Sequence, residues 1–175
     1  MSKKFIAISG SLRKGSYNTA LLRAAKELAP AGLEIEIADI KDFPLYNFDM
    51  EANMPKAVLD LKEKIKNADG VIFATPEYNR STSGVLKNAI DWISRPYGTN
   101  SFDGKTALVL GASTGAIGTA VAQSHLKEII LYLGMKVIGQ PEFYLGLAKE
   151  KFSEEGVLID EKTKSFLVKT LTVLL

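Results

Sequence analysis

Three short segments hold most of the residues on which chemistry could be built: Ser9-Gly-Ser-Leu-Arg-Lys-Gly-Ser-Tyr-Asn18, Thr75-Pro-Glu-Tyr-Asn79 and Gly111-Ala-Ser-Thr-Gly-Ala-Ile-Gly118. In the first, Gly10 and Gly15 let the backbone turn tightly, Ser11 and Ser16 offer hydroxyls, and Arg13 adds a fixed fork of donors. A helix is predicted to follow, and its free N–H groups and positive dipole end would point back into the loop. Such a loop suits an anion, a phosphate above all. Asn18 and Thr19 stand where the helix begins and can donate or cap; taken alone, Asn18 reads as the N-cap of an ordinary strand-to-helix turn. The second segment joins a rigid proline to backbone groups that can face the polar edge of a planar heterocycle, with Tyr78 as an aromatic wall. Read blandly, it is a proline-initiated turn with an exposed tyrosine. The small residues of the third segment permit either the close approach of a ring edge or simple helix-to-strand packing.

Two phosphate motifs are absent. A Walker loop needs a lysine beside its last Ser or Thr, whereas Gly15 runs directly into Ser16-Tyr17, which disfavours ATP. The spacing of Gly111, Gly115 and Gly118 departs from a dinucleotide fingerprint, and it follows the fourth predicted strand instead of opening the fold. The chain has no cysteine, so disulfides, thiolate nucleophiles, iron–sulfur clusters and cysteine-bound zinc are excluded. Its single histidine, His125, falls inside a predicted helix away from the three segments and reads as structural or interfacial. No side-chain catalyst and no metal site are expected.

The elements that must position these segments alternate along the chain. Strands are predicted at Phe5–Ser9, Leu33–Ala38, Gly70–Thr75, Lys105–Gly111 and Met135–Gly139, and helices at Asn18–Ala29, Pro55–Ile65, Ser83–Ser94, Ile117–Leu133 and Asp160–Leu174. Leu21, Leu22, Ala25 and Leu28, or Ala57, Val58, Leu61 and Ile65, mark one face of a helix. Five strands alternating with five helices specify a parallel α/β sheet covered on both faces. All three segments follow strands, so they would open on one rim of the sheet, where such folds bind ligands. Phe43–Met54 and Arg95–Gly104 are the longest irregular stretches and are expected as surface loops around the site. With 175 residues, 46% of them hydrophobic, and no interdomain linker, one domain spanning residues 1–175 is expected. A net charge of +2 gives no broad attraction for nucleic acid or an anionic membrane. No signal peptide or membrane-spanning run is visible, and a cytoplasmic protein is expected.

Together Gly10-Ser-Leu-Arg-Lys-Gly-Ser-Tyr-Asn18, Thr75-Pro-Glu-Tyr-Asn79 and Leu86-Lys-Asn-Ala-Ile-Asp-Trp92 resemble the NAD(P)H-dependent FMN reductase family, which includes quinone, chromate and azo-dye reductases. The resemblance spans nearly the whole chain in order. It implies a flavodoxin-like, doubly wound, five-stranded sheet of order 2-1-3-4-5. It also implies bound FMN, NADPH or NADH as donor, and ping-pong reduction of a small acceptor such as a quinone, chromate, an azo dye or free flavin. By the same resemblance Ser11, Arg13, Ser16, Asn18 and Thr19 bind the FMN phosphate; Pro76, Glu77, Tyr78 and Asn79 border the ring, and Ser113 and Gly115 lie near its other edge. A homodimer or homotetramer is implied, with the flavin near the subunit boundary. Arg80-Ser-Thr-Ser replaces the smaller or more apolar residues that often follow the Pro-Glu-Tyr-Asn motif. The alternative is a flavodoxin-like electron carrier with no NAD(P)H oxidation of its own. Such carriers are usually strongly acidic, and the charge of +2 argues against one. A phosphoacceptor receiver domain would need acids where the first and third strands end in Ser9-Gly10 and Thr75-Pro76.

Overall fold

In the computed structural model, which describes residues 2–175, strands and helices alternate much as their patterning requires. In order they are β1 (Lys3–Ser9), α1 (Tyr17–Glu27), β2 (Leu33–Ala38), α2 (Lys56–Lys66), β3 (Gly70–Ala74), α3 (Gly84–Ile93), β4 (Thr106–Ala112), α4 (Ala120–Tyr132), β5 (Lys136–Val137), β6 (Phe143–Leu145), α5 (Ala148–Lys151) and α6 (Glu161–Thr172). All pairings are parallel, in the order β2-β1-β3-β4-β5.

The sheet is covered on both faces, which is why β3 is an uninterrupted buried apolar run. Alternate strand residues serve opposite layers. Phe5, Ala7, Ile72 and Leu108 pack with Leu21 and Leu22 of α1 and Leu167 and Leu171 of α6. Ile6, Ile8, Val71, Phe73 and Val109 pack with Leu61 and Ile65 of α2, Leu86 and Ile90 of α3, and Leu126 and Ile130 of α4. Trp92 belongs to this interior: it is fully buried, and its indole N–H donates to Pro44 O at 2.8 Å.

The fifth strand position departs from the single run expected at Met135–Gly139. It is shared by two short pieces: β5 pairs with Thr106 and Ala107, and β6 pairs with Leu110 to Ala112. Gly139 and Pro141 fall between them, and proline supplies no donor to continue a ladder. The helix expected from Ile117 begins at Ala120, because Gly118 and Thr119 both take left-handed backbone angles (φ 63° and 67°).

Arg95–Gly104 also lies elsewhere than expected. The stretch joins the end of α3 to the start of β4, with Gly104 N donating to Gly134 O at 3.1 Å. That is the end of the sheet opposite the strand ends that open into the three segments. Phe43–Met54, which contains a 3-10 turn at Phe48–Asn53, straps along α3 through Asn88, Trp92 and Arg95; Arg95 Nε bonds Glu51 Oε1 at 2.9 Å. Among the described residues, no helix is long and apolar enough to cross a membrane.

Candidate functional site

The strand register brings the three segments together. Ser9 lies beside Ala74, and Ala74 beside Leu110, so the loops after β1, β3 and β4 leave neighbouring strands at the same end. Backbone bonds continue the ladder into them: Gly10 N to Ala74 O (2.8 Å), Thr75 N to Leu110 O (3.0 Å) and Ser113 N to Leu145 O (2.9 Å). Gly10 is needed for this convergence. A Cβ there would sit 3.0 Å from both Pro76 Cδ and Ser83 Oγ, and Ser83 Oγ already donates to Gly10 O at 2.6 Å.

The first loop leaves its donors free. The amides of Leu12, Arg13, Lys14, Gly15, Tyr17 and Asn18 meet no acceptor among the described residues. Arg13 is exposed and lies over the Tyr17 ring at 5.5 Å, and no acid pairs with it among the described residues. The loop thus offers unclaimed N–H groups, a helix N-terminus and an unneutralised guanidinium, the donor set a phosphate requires. The N-cap of α1 is Ser16, not Asn18: Ser16 Oγ accepts from Thr19 N at 3.3 Å.

Asn18 performs a different task. Its buried side chain bridges to β4 in both directions, donating to Ala112 O at 3.0 Å and accepting from Ala112 N at 2.9 Å. The Thr19 hydroxyl shares a hydrogen bond of 2.8 Å with Ser9. Of the five residues expected at a phosphate, Arg13 and Ser11 leave their side chains uncommitted to distant elements. Asn18 and Thr19 spend theirs on holding the loop, while Ser16 accepts one capping bond and keeps its hydroxyl hydrogen to donate.

The second loop folds into a two-residue turn. Tyr78 and Ser81 exchange backbone bonds of 3.0 Å, while Asn79 and Arg80 take left-handed angles of 52° and 64°, the geometry of a type I′ turn. Tyr78 stands out from it, 54% exposed. Pro76 packs against Gly10, and Thr75 Oγ1 braces the turn through Pro76 O (2.8 Å) and Thr82 Oγ1 (3.0 Å). Glu77 turns inward: its Oε2 accepts from the amides of Val121 and Ala122 at 3.1 and 3.2 Å. Since Thr119 provides α4 with no side-chain cap, Glu77 caps that helix from another loop, where the dipole favours its charge.

The third loop is fastened from downstream. Ser113 Oγ accepts from Gly115 N (3.1 Å), Ala148 N donates to Ser113 O (2.9 Å), and Leu147 N to Gly115 O (3.1 Å). Gly111 permits the tight packing of α4 on β4, for a Cβ would run into Thr119 Oγ1 and lie 2.8 Å from Thr75 O. Behind this loop, Lys127 donates to Glu142 at 2.8 Å and Tyr144 bonds the same carboxylate. Lys127 holds the Glu142 carboxyl below its ordinary range, and burial with that carboxylate pushes the Tyr144 hydroxyl up to about 12.

His125 belongs to this rim, contrary to the sequence reading. It lies one helical turn beyond the capped end of α4, with Nδ1 3.2 Å from Ser81 Oγ. The helix folds back against the turn after β3, a contact across more than forty residues that helical periodicity does not announce. Ser83 joins α3 to Gly10; its place before an apolar helical stripe carries the capping signal but not the second bond.

A profile of the NADPH-dependent FMN reductase family matches residues 3–150. The chain belongs to this family. It is 48% identical to an NAD(P)H-dependent FMN reductase of Pseudomonas aeruginosa, over 98% of this chain and 92% of that relative. It is 41% identical to a 2-hydroxy-1,4-benzoquinone reductase of a Burkholderia species, over 95% and 91%. Among solved structures it is similar to the flavoenzyme NAD(P)H:(acceptor) oxidoreductase of Paracoccus denitrificans, with a TM-score of 0.91 and 44% identity over 98% of this chain and 94% of that one. The sheet order is that of the flavodoxin-like fold expected for the FMN reductases.

Proposed function

We propose that this protein is an FMN-dependent NAD(P)H oxidoreductase whose acceptors are quinones and free flavin. The observation that carries the reading is the first loop, with its unclaimed amides and unpaired Arg13 on the same rim as the Pro76–Asn79 turn. FMN, when bound, supplies the hydride and electron chemistry, so no side-chain acid–base pair is required. The chain's own residues hold and orient. Arg13, Ser11 and the loop amides take the phosphate, with Ser16, Asn18 and Thr19 keeping the loop in shape. The backbone of Pro76 to Asn79 faces the ring edge, where fixed N–H groups would stabilise negative charge. Tyr78 walls the ring, and Ser113 and Gly115 lie on the other side.

The small acceptor reaches this rim from solvent, and we place the protein in the cytoplasm. The groove of about 1040 Å³ between α3 and α4, beside exposed Tyr97 and Tyr132, is our candidate surface for joining copies into a homodimer or homotetramer. Sedimentation of the wild type against a Tyr132→Glu variant tests it, the variant being expected to dissociate.

FMN added to the apoprotein should be retained on desalting, and NADPH or NADH added anaerobically should bleach its absorption. A quinone should then restore the colour without any partner protein. A chain that retains no FMN ends the reading, and one that retains FMN without oxidising NAD(P)H is the carrier instead.

A further inference from the structure

Arg80 is the rim residue whose conformation folding alone explains least. It takes the second central position of the two-residue turn at φ 64°, where glycine is the usual occupant because a Cβ crowds the backbone. An arginine there costs stability that a glycine would not, and its contact with the scaffold is one long, exposed ion pair to Glu77, which contributes little. The side chain is 70% exposed, and its one acidic neighbour, Glu77 Oε1, lies 3.7 Å away, beyond hydrogen-bond reach. The charge of Glu77 is also turned elsewhere, since its other oxygen accepts from two amides at the positive end of α4. The guanidinium, in the turn after β3, therefore makes no hydrogen bond among the described residues and is held only by that long pair to Glu77. Its other neighbours along the turn are exposed Tyr78 and the His125–Ser81 pair, so Glu77 is the negative charge it already faces.

The geometry points to Arg80 as a specificity-determining residue that selects acceptors bearing a negative charge: quinones with a sulfonate, carboxylate or ionised hydroxyl, over their neutral parents. A guanidinium pairs with such oxyanions through parallel N–H bonds. The assignment rests on the reading of this rim as the place where the acceptor is reduced.

The test uses wild type, Arg80→Gly and Arg80→Lys, each first shown to retain FMN. Naphthoquinone and naphthoquinone sulfonate are compared as acceptors at saturating NADH. Glycine suits the φ at this position, so Arg80→Gly removes the side chain while keeping the turn. In Arg80→Gly the KM for the sulfonate should rise about fivefold while that for the neutral quinone changes less than about twofold, the upper range expected of one exposed charged pair. Arg80→Lys should fall between, and added salt should weaken the preference in the wild type and in Arg80→Lys but not in Arg80→Gly. Equal changes for the two quinones would reduce Arg80 to a turn residue, and a rise confined to the KM for NADH would assign it to the donor; either overturns the proposal. Loss of FMN retention by the wild type would instead end the flavin reading, and this proposal with it.

Discussion

The loops after β1 and β3 are equally rich in polar residues and lie side by side, yet they use them in opposite ways. The loop after β3 commits Thr75 to Pro76 and Thr82 and Glu77 to the start of α4, while its backbone closes on itself in the turn from Tyr78 to Ser81. The loop after β1 commits Asn18 and Thr19 but, among the described residues, leaves a run of amides, the Ser16 hydroxyl hydrogen and Arg13 unclaimed. Residue type at a rim therefore does not separate ligand-binding groups from scaffold. What separates them is whether a partner has already been found within the chain.

Substitutions should divide along that line. Asn18→Ala is expected to have the largest effect, lowering stability by about 3 kcal/mol, because both buried polar groups of Ala112 lose their partner. Thermal or urea unfolding measures it, and a loss below about 1 kcal/mol would return Asn18 to the ligand-binding set. Arg13→Ala should leave unfolding unchanged and weaken FMN by about 2 kcal/mol in a fluorescence titration. An unaltered dissociation constant would erase the contrast between the loops.

Glu77→Ala should destabilise by about 1 kcal/mol through loss of the α4 cap, with Glu77→Gln recovering much of it because an amide oxygen still accepts. If Glu77→Gln weakened FMN as strongly as Arg13→Ala, the carboxylate would be acting on the ligand and not on the helix. A reference point lies far from both loops. Hydrogen bonds from Lys4 and Lys64, both at 2.8 Å, hold Glu36 at about 2, below its ordinary 4.5. The stabilisation is present above pH 4.5 and is lost as the pH falls toward 2. With the lysines half exposed, solvent screening leaves it at about 1 kcal/mol. Glu36→Gln should flatten that acid limb of the stability curve while leaving FMN binding at neutral pH unchanged.

Much of the fold was legible locally. The spacing of Leu21, Leu22 and Ala25 and the apolar run from Val71 to Ala74 record burial directly, and the boundaries Leu33–Ala38 were met to the residue. The convergence of the three loops followed from parallel topology, since each leaves a strand at the same end. What escaped was decided by contacts between distant segments. Nothing near Asn18 signals its bond to Ala112, and nothing near His125 its approach to Ser81. Three-residue β6 is too short to carry a period, and it becomes a strand only because β4 offers Leu110 to Ala112 as an edge.

The divided fifth strand bears on how molecules of this protein can meet. A sheet margin invites another chain when it presents a long, unbroken row of backbone donors and acceptors. Here one margin is cut into pieces of two and three residues with Gly139 and Pro141 between them, and the other carries Glu34 and Glu36 along β2. The divided margin is a poor template for strand addition, whereas β2 keeps six unbroken residues and relies on the charge of its side chains to discourage a partner strand.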